Sequence, residues 1–142
     1  MAETIQLSER KAPLNIALGI LFDTRSKRIL IVKRKKPSQI TGLTWCFPGV
    51  KISYGDDIES ELKSGIKKKT GFAIESLGSV FVKTYSKESG LLSVYYLCEI
   101  SGGKKKLGKD YEDSKWVSPD EIEKYFGVSL HPTLKEYLTG LK

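Results

Sequence analysis

The sequence has few of the residues that carry metal and redox chemistry: one histidine, two cysteines and one methionine among 142 residues. Cys46 and Cys98 lie far apart in apolar segments, so neither zinc-site spacing nor the pattern of a disulfide-rich domain is present. We expect both to be core thiols. His131 precedes Pro132 at an expected helix start, where we expect a capping or packing role rather than that of a catalytic base.

Long hydrophobic runs are also absent. No stretch reaches the roughly 18 to 20 apolar residues that a membrane-spanning helix needs, and the N-terminal segment MAETIQLSERKAPL has no signal-peptide core. We therefore expect a cytoplasmic protein with no membrane partner. Hydrophobic residues make up 39% and charged residues 29% of the chain, a globular balance that predicts one domain spanning residues 1–142.

The charge balance is strongly basic, with a formal net charge of +7 and a pI near 9.3. Lysine and arginine cluster in three runs, at residues 33–36, 67–69 and 104–106. Such runs suit a polyanionic partner such as RNA, or they are solvated turns and faces. We expect the turn that contains the run 104–106 to be remote from the run 67–69.

The first half of the chain predicts a β-hairpin, a loop, a short strand and a helix. Apolar runs at 14–22 and 28–33 flank the polar segment DTRSK, as in a hairpin. Residues 36–44 are a loop by composition, and residues 45–47 a short strand. In the segment 57–70, Ile58, Leu62 and Ile66 recur at four-residue steps, which predicts an amphipathic helix that ends at Gly71.

The second half predicts a longer hairpin and two further helices. Residues 72–85 and 91–100 are rich in apolar, β-branched and aromatic residues on either side of SKESG. A short strand at 115–117 precedes Ser118 and Pro119, a helix start, and a last helix is expected at about 132–141. The fold class is therefore α/β.

The window WCFPGVKISYGDDIESELKSGIKKKTGF, residues 45–72, resembles the signature motif of the Nudix (MutT-like) hydrolases. The positions that match that motif are Trp45, Phe47, Pro48, Gly49, Gly55, Ile66, Thr70, Gly71 and Phe72. The resemblance continues into the opening hairpin, which ends near Arg34, and into the segment WVSPDEI that begins at Trp116. It implies a Nudix-type sandwich, with a mixed β-sheet between the motif helix and a C-terminal helix.

The departures from that motif bear on function. Val50 replaces the second glycine of a pair, Asp56 replaces a glutamate and Ser64 an arginine. Gly65, Lys68 and Lys69 stand at the three helix positions where the family has the glutamates that hold magnesium. A carboxylate-to-lysine exchange places a positive charge beside the cation, so the resemblance implies weak or absent magnesium binding and impaired hydrolysis.

Two kinds of replacement site remain open. Asp56, Glu61 and Asp110 are candidate catalytic carboxylates of a rearranged magnesium site, although Asp57 and Glu61 also suit a helix cap and an ion pair with Lys68 or Lys69. Alternatively, lysine can take the place of a cation beside a phosphate. The candidate ligand-binding residues of such a metal-free nucleotide site are Arg34, Lys51, Lys68 and Lys69.

Three functions follow from these residues. The first is a module that binds a nucleotide or nucleoside-diphosphate-linked ligand, with no cofactor and little hydrolysis. The second is a divalent-metal-dependent pyrophosphohydrolase, and the third a basic RNA-binding or polyanion-binding protein.

The resemblance of the segment 57–70 to the helix of the Nudix motif makes a prediction. Gly65→Glu, Lys68→Glu and Lys69→Glu together are expected to create magnesium affinity, with a gain in helix propensity at position 65.

Overall fold

The computed structural model describes residues 15–35, 44–53, 55–85, 91–127 and 130–141. The described strands are β1 (Asn15–Asp23), β2 (Arg28–Arg34), β3 (Trp45–Cys46), β4 (Gly49–Ile52), β5 (Phe72–Tyr85), β6 (Leu91–Gly103) and β7 (Tyr111–Val117). The described helices are α1 (Ile58–Thr70), α2 (Ile122–Phe126) and α3 (Pro132–Thr139), with a short 3₁₀ turn at Pro119–Glu121 before α2. None of these helices has the length and hydrophobicity of a membrane span.

The strands form a mixed, seven-stranded sheet. Its main path runs β3-β2-β1-β6-β5, with β1 and β6 parallel and β5 and β6 a long antiparallel hairpin. The remaining two strands extend β1 and β2, since β4 pairs with the first half of β1 and β7 with β2. Both hairpins predicted from the sequence are confirmed. The predicted loop 36–44 lies almost wholly outside the described residues.

The two faces of the sheet bury separate hydrophobic clusters. On one face, Leu62 and Ile66 of α1 pack on residues of β1, β2 and β6, and both are fully buried. On the other face, α2 and α3 contribute Ile122, Phe126 and Leu134 to a second cluster. Successive side chains of β1 point to opposite faces of the sheet, so Ile20 packs in the cluster beside α2 and α3 and Leu21 in the cluster beside α1. The molecule is thus the predicted α/β sandwich.

Most of the helix ends follow signals in the sequence, although Asp57 precedes α1 without making a side-chain capping hydrogen bond. Helix α1 stops at Gly71, whose φ of +87° is a left-handed conformation that glycine adopts without strain. At the 3₁₀ turn, the Ser118 N–H and the Ser118 hydroxyl both donate to Oε1 of Glu121. His131 accepts a hydrogen bond through Nδ1 from the Thr133 N–H and packs against Phe81. The expected capping and packing role of this histidine is confirmed.

Candidate functional site

The candidate site lies where α1 packs across β4 and the start of β7. Lys69, in the last turn of α1, donates a hydrogen bond to the Gly49 carbonyl oxygen at 2.8 Å. Its Nζ is 3.5 Å from Oδ2 of Asp110 and 5.8 Å from the centre of the Tyr111 ring. A carbonyl oxygen, a carboxylate and an aromatic face therefore surround one ammonium group.

Tyr111 fixes the backbone to which this ammonium is bound. Its hydroxyl accepts from the Gly49 N–H at 3.1 Å and donates to the Gly49 carbonyl at 3.4 Å. The ring is buried, which raises the pKa of Tyr111 above its usual range and keeps the hydroxyl protonated. The sequence reasoning did not select Tyr111, although a single aromatic residue in the polar segment GKDYEDSK was a signal for it.

Arg34 lies close to both Cys46 and Tyr111. It ends β2 opposite Tyr111 and is hydrogen-bonded to the Cys46 thiol. Burial nevertheless raises the Cys46 pKa to about 11, because desolvation exceeds the opposing effects of Arg34 and Lys69. The structure thus brings Arg34, Lys69 and Asp110 together around Tyr111 and Cys46; we call these five residues the lysine site.

The other candidate residues lie outside the lysine site. Lys51 is exposed on β4, and Asp56 accepts a hydrogen bond from the Ser53 N–H in the turn before α1. Glu61 is exposed in the first turn of α1, eight residues and therefore about 12 Å along the axis from Lys69. Lys69 therefore forms its ion pair with Asp110 rather than with Glu61.

Lys68 also lies outside the lysine site. It lines a separate cleft together with Lys67.

Val50 and Gly65 are in close contact where α1 packs against β4. A Cβ atom built on Gly65 would overlap Cγ1 of Val50, whose side chain is only 8% exposed. The isopropyl group of Val50 therefore occupies the space into which any side chain at position 65 would point. The two departures from the Nudix motif at these positions are one complementary pair.

The turn after β6 lies against the end of α1. The Lys106 N–H donates to the Thr70 carbonyl at 2.7 Å, and the Gly108 N–H donates to the Lys69 carbonyl at 2.8 Å. The expectation that residues 104–106 are remote from residues 67–69 is therefore wrong. The physical reason is that these bonds satisfy two of the carbonyl groups that every helix leaves unpaired at its C-terminus.

Solved structures of low sequence identity share this architecture. A NUDIX hydrolase from Nitrosomonas europaea superimposes with a TM-score of 0.70 at 15% identity, over 92% of this chain and 91% of that one. The fold is that of the Nudix hydrolases. A MutT protein described from Aliivibrio salmonicida and Vibrio cholerae gives 0.67 at 17% identity, over 89% and 96% of the two chains. No family profile matches the sequence, and neither does any curated protein.

A third Nudix-fold neighbour is an ADP-ribose pyrophosphatase from Streptococcus suis, with a TM-score of 0.63 at 18% identity, over 92% of this chain and 89% of that one.

The side chains at helix positions 65, 68 and 69 do not fit the magnesium ion that the resemblance implies there. Val50 fills the space beside Gly65, and the Lys69 ammonium lies on the Gly49 and Asp110 oxygens. Among the described residues, no three histidine, cysteine or acidic side chains are grouped to hold a metal.

The burial of the two cysteines makes a testable prediction. Burial raises the pKa of Cys46 to about 11 and that of Cys98 to about 12, so at about pH 8 both are neutral thiols. The native protein is expected to react with a water-soluble disulfide reagent at least about a hundredfold more slowly than the protein unfolded in guanidinium. Rapid reaction of one thiol in the native state would contradict the burial of that cysteine.

Proposed function

We propose that this Nudix-fold domain binds a nucleotide or a nucleoside-diphosphate-linked ligand without metal and hydrolyses it weakly or not at all. The observation that carries the proposal is the position of the Lys69 ammonium, on the Gly49 carbonyl and the Asp110 carboxylate. Those are oxygen ligands of the kind that a magnesium ion prefers. We infer that the Lys69 ammonium replaces the magnesium ion that binds the substrate in Nudix hydrolases.

An ammonium group has three N–H donors; that of Lys69 donates one hydrogen bond to the Gly49 carbonyl and forms an ion pair with the Asp110 carboxylate. We assign its remaining donor capacity to a phosphate oxygen. The Lys69 side chain is 27% exposed, so the residue is accessible from solvent. Arg34 is a neighbour in the lysine site, and Lys51 projects from β4, the strand that carries Gly49. We assign Lys69, Arg34 and Lys51 to the diphosphate; Lys68, which lines a separate cleft, is not part of this site.

Binding and catalysis separate in this proposal. A lysine ammonium neutralises phosphate charge as a cation does, but it does not lower the pKa of a bound water to produce a nucleophile. Asp56 and Glu61 lie near the start of α1, whereas Asp110 is paired with Lys69 near its end. The three carboxylates of a rearranged metal site are therefore dispersed, which favours the binding function over the pyrophosphohydrolase.

The test is ligand binding in the presence of a chelator. ADP-ribose and nucleoside diphosphates are expected to bind the wild-type protein with EDTA present and to gain less than about twofold in affinity from added magnesium. Lys69→Met keeps the length of the side chain and removes its charge, so it is expected to weaken binding about tenfold or more. Isothermal titration calorimetry provides the measurement, with phosphate release in magnesium or manganese followed in parallel and expected to be negligible.

Lys63→Met is the matched control. Lys63 lies on the same helix and also forms one ion pair, with Glu75 at 3.1 Å, so the variant loses the same charge and the same number of ion pairs. Its affinity for the ligand is expected to stay within about twofold of wild type. Equal losses in the two variants would reject the lysine site. Metal-dependent phosphate release abolished by Asp56→Ala or Glu61→Ala would establish the pyrophosphohydrolase instead.

A further inference from the structure

A second cationic feature lies beyond the end of α1. It is an open cleft of about 390 Å³, which we call the basic cleft. Its lining residues are Lys67, Lys68, Gly71, Lys104, Lys106, Leu107 and Gly108. Two of the three basic runs in the sequence, 67–69 and 104–106, thus meet in one concavity. The proposed nucleotide site does not account for this convergence, because Lys69 is bound to Gly49 on the β4 side of the helix.

The backbone holds the two walls of the basic cleft together. Hydrogen bonds from Lys106 N–H and Gly108 N–H to the carbonyls of Thr70 and Lys69 bind the turn to the last residues of α1. At Gly71, a Cβ atom would overlap the carbonyl oxygen of Lys104, so the turn approaches to a distance that only glycine permits. The spacing between the two groups of lysines is therefore set by the fold, which reduces the entropic cost of binding a ligand between them.

Among the residues that the structure describes, no acidic side chain lines the basic cleft. The described ion pairs of acidic residues go to lysines elsewhere: Lys33, Lys63, Lys69 and Lys135. Lys67 donates to the Gly71 carbonyl at 3.1 Å, a contact that orients its ammonium without neutralising it. Helix C-termini favour nearby cations, which explains one lysine at this end of α1. It does not explain Lys104 and Lys106, which come from another element.

Of the described residues that line the cleft, Leu107 is the one with an apolar side chain and none is aromatic. Single-strand nucleic-acid binders stack bases on aromatic rings, so this cleft has the means to bind phosphate but not to hold a base. Its lining comes from the end of one helix and one turn, which is a smaller area than the extended basic stripe that would follow a polymer backbone. These features favour a compact ligand whose charge is concentrated in adjoining phosphate groups.

We propose that the basic cleft is a binding site for a compact anion with several adjoining phosphate groups, held by Lys67, Lys68, Lys104 and Lys106. The ligand is either an inorganic condensed phosphate or the triphosphate part of a larger molecule; the chemistry recognised is the same. The site is independent of the lysine site, because the ammonium of Lys69 is directed to Gly49 and Asp110 rather than into the cleft.

The experiment titrates inorganic tripolyphosphate into the full chain in a buffer of physiological ionic strength containing EDTA. Saturable binding is expected with the basic cleft as the tighter site, and orthophosphate is expected to bind there at least about tenfold more weakly because it engages fewer ammonium groups. Lys104→Met/Lys106→Met is expected to weaken tripolyphosphate about tenfold or more. A nucleoside triphosphate that binds as tightly as tripolyphosphate, and no tighter, would identify the triphosphate part as sufficient and support the proposal.

Two control variants test whether the loss of affinity is specific to the lysines of the basic cleft. Lys124→Met/Lys135→Met removes the same charge from α2 and α3, on the opposite face of the sheet, and is expected to change affinity less than about twofold. Lys69→Met, which tests the nucleotide site, is expected to leave tripolyphosphate binding within about threefold. Equal losses in the two double variants would overturn the cleft, as would a single-stranded RNA that binds with a steep salt dependence while tripolyphosphate fails to bind.

Discussion

Gly65→Ala is expected to destabilise the protein by about 1 to 3 kcal/mol, although the same exchange in an ordinary helix interior is stabilising by up to about 1 kcal/mol. The reason is the overlap between any Cβ atom at position 65 and Cγ1 of the buried Val50. Denaturant unfolding measures the effect. In a Val50→Ala background the obstructing methyl groups are gone, so Gly65→Ala is expected to be neutral or stabilising there.

The double-mutant cycle isolates this contact. Val50→Ala alone costs about 1 to 3 kcal/mol from the loss of buried methyl groups, and the coupling between the two positions is expected to reach about 2 kcal/mol. Ser64→Ala is the control, because Ser64 is exposed on the same helix and reports helix propensity alone. If Gly65→Ala has the same effect in both backgrounds, then α1 and β4 are not in contact at this point.

This pair of residues shows which part of the structure local sequence patterns can predict. The periodicity of Ile58, Leu62 and Ile66 with Gly71 behind it specifies α1, because helix formation and termination depend on neighbours along the chain. The contact between Val50 and Gly65 is set by how α1 packs on β4. The motif comparison identified both as departures, but only the packing shows that one compensates for the other.

The sequence likewise predicted some features of the lysine site, whereas others depend on tertiary packing. Arg34, Lys69 and Asp110 were selected from the sequence as candidates for two different kinds of site, and the fold places them around one buried tyrosine. Helix periodicity puts positions 65 and 69 on one face, yet it does not give the direction of a flexible lysine side chain. That direction follows from the Gly49 carbonyl, which Tyr111 holds in place from 62 residues away.

Restoring a magnesium site is expected to require four substitutions rather than three. Gly65→Glu, Lys68→Glu and Lys69→Glu supply the carboxylates, and Lys69→Glu also removes the ammonium from the Gly49 and Asp110 oxygens. The new glutamate at position 65 has no room beside Val50, contrary to the expected gain in helix propensity there. Val50→Gly is therefore the fourth change, and the quadruple variant is expected to bind magnesium where the triple variant does not.

Thermal unfolding with and without magnesium measures the result. Magnesium at ten times its dissociation constant adds about 1.4 kcal/mol to the free energy of unfolding, which raises Tm by roughly 3 to 6 °C for a chain of this size.

A charge-matched control carries Val50→Gly with Lys63→Glu, Ser64→Glu and Lys67→Glu. It introduces three carboxylates and the same change in net charge, away from Gly49 and Asp110, and is expected to gain less than about 1 °C. Equal stabilisation of both variants would mean that magnesium binds through the net negative charge of the helix rather than at a specific group of carboxylates. A rise confined to the quadruple variant would show that this fold keeps the geometry of a metal site, with Lys69 and the side chain of Val50 occupying it in the natural sequence.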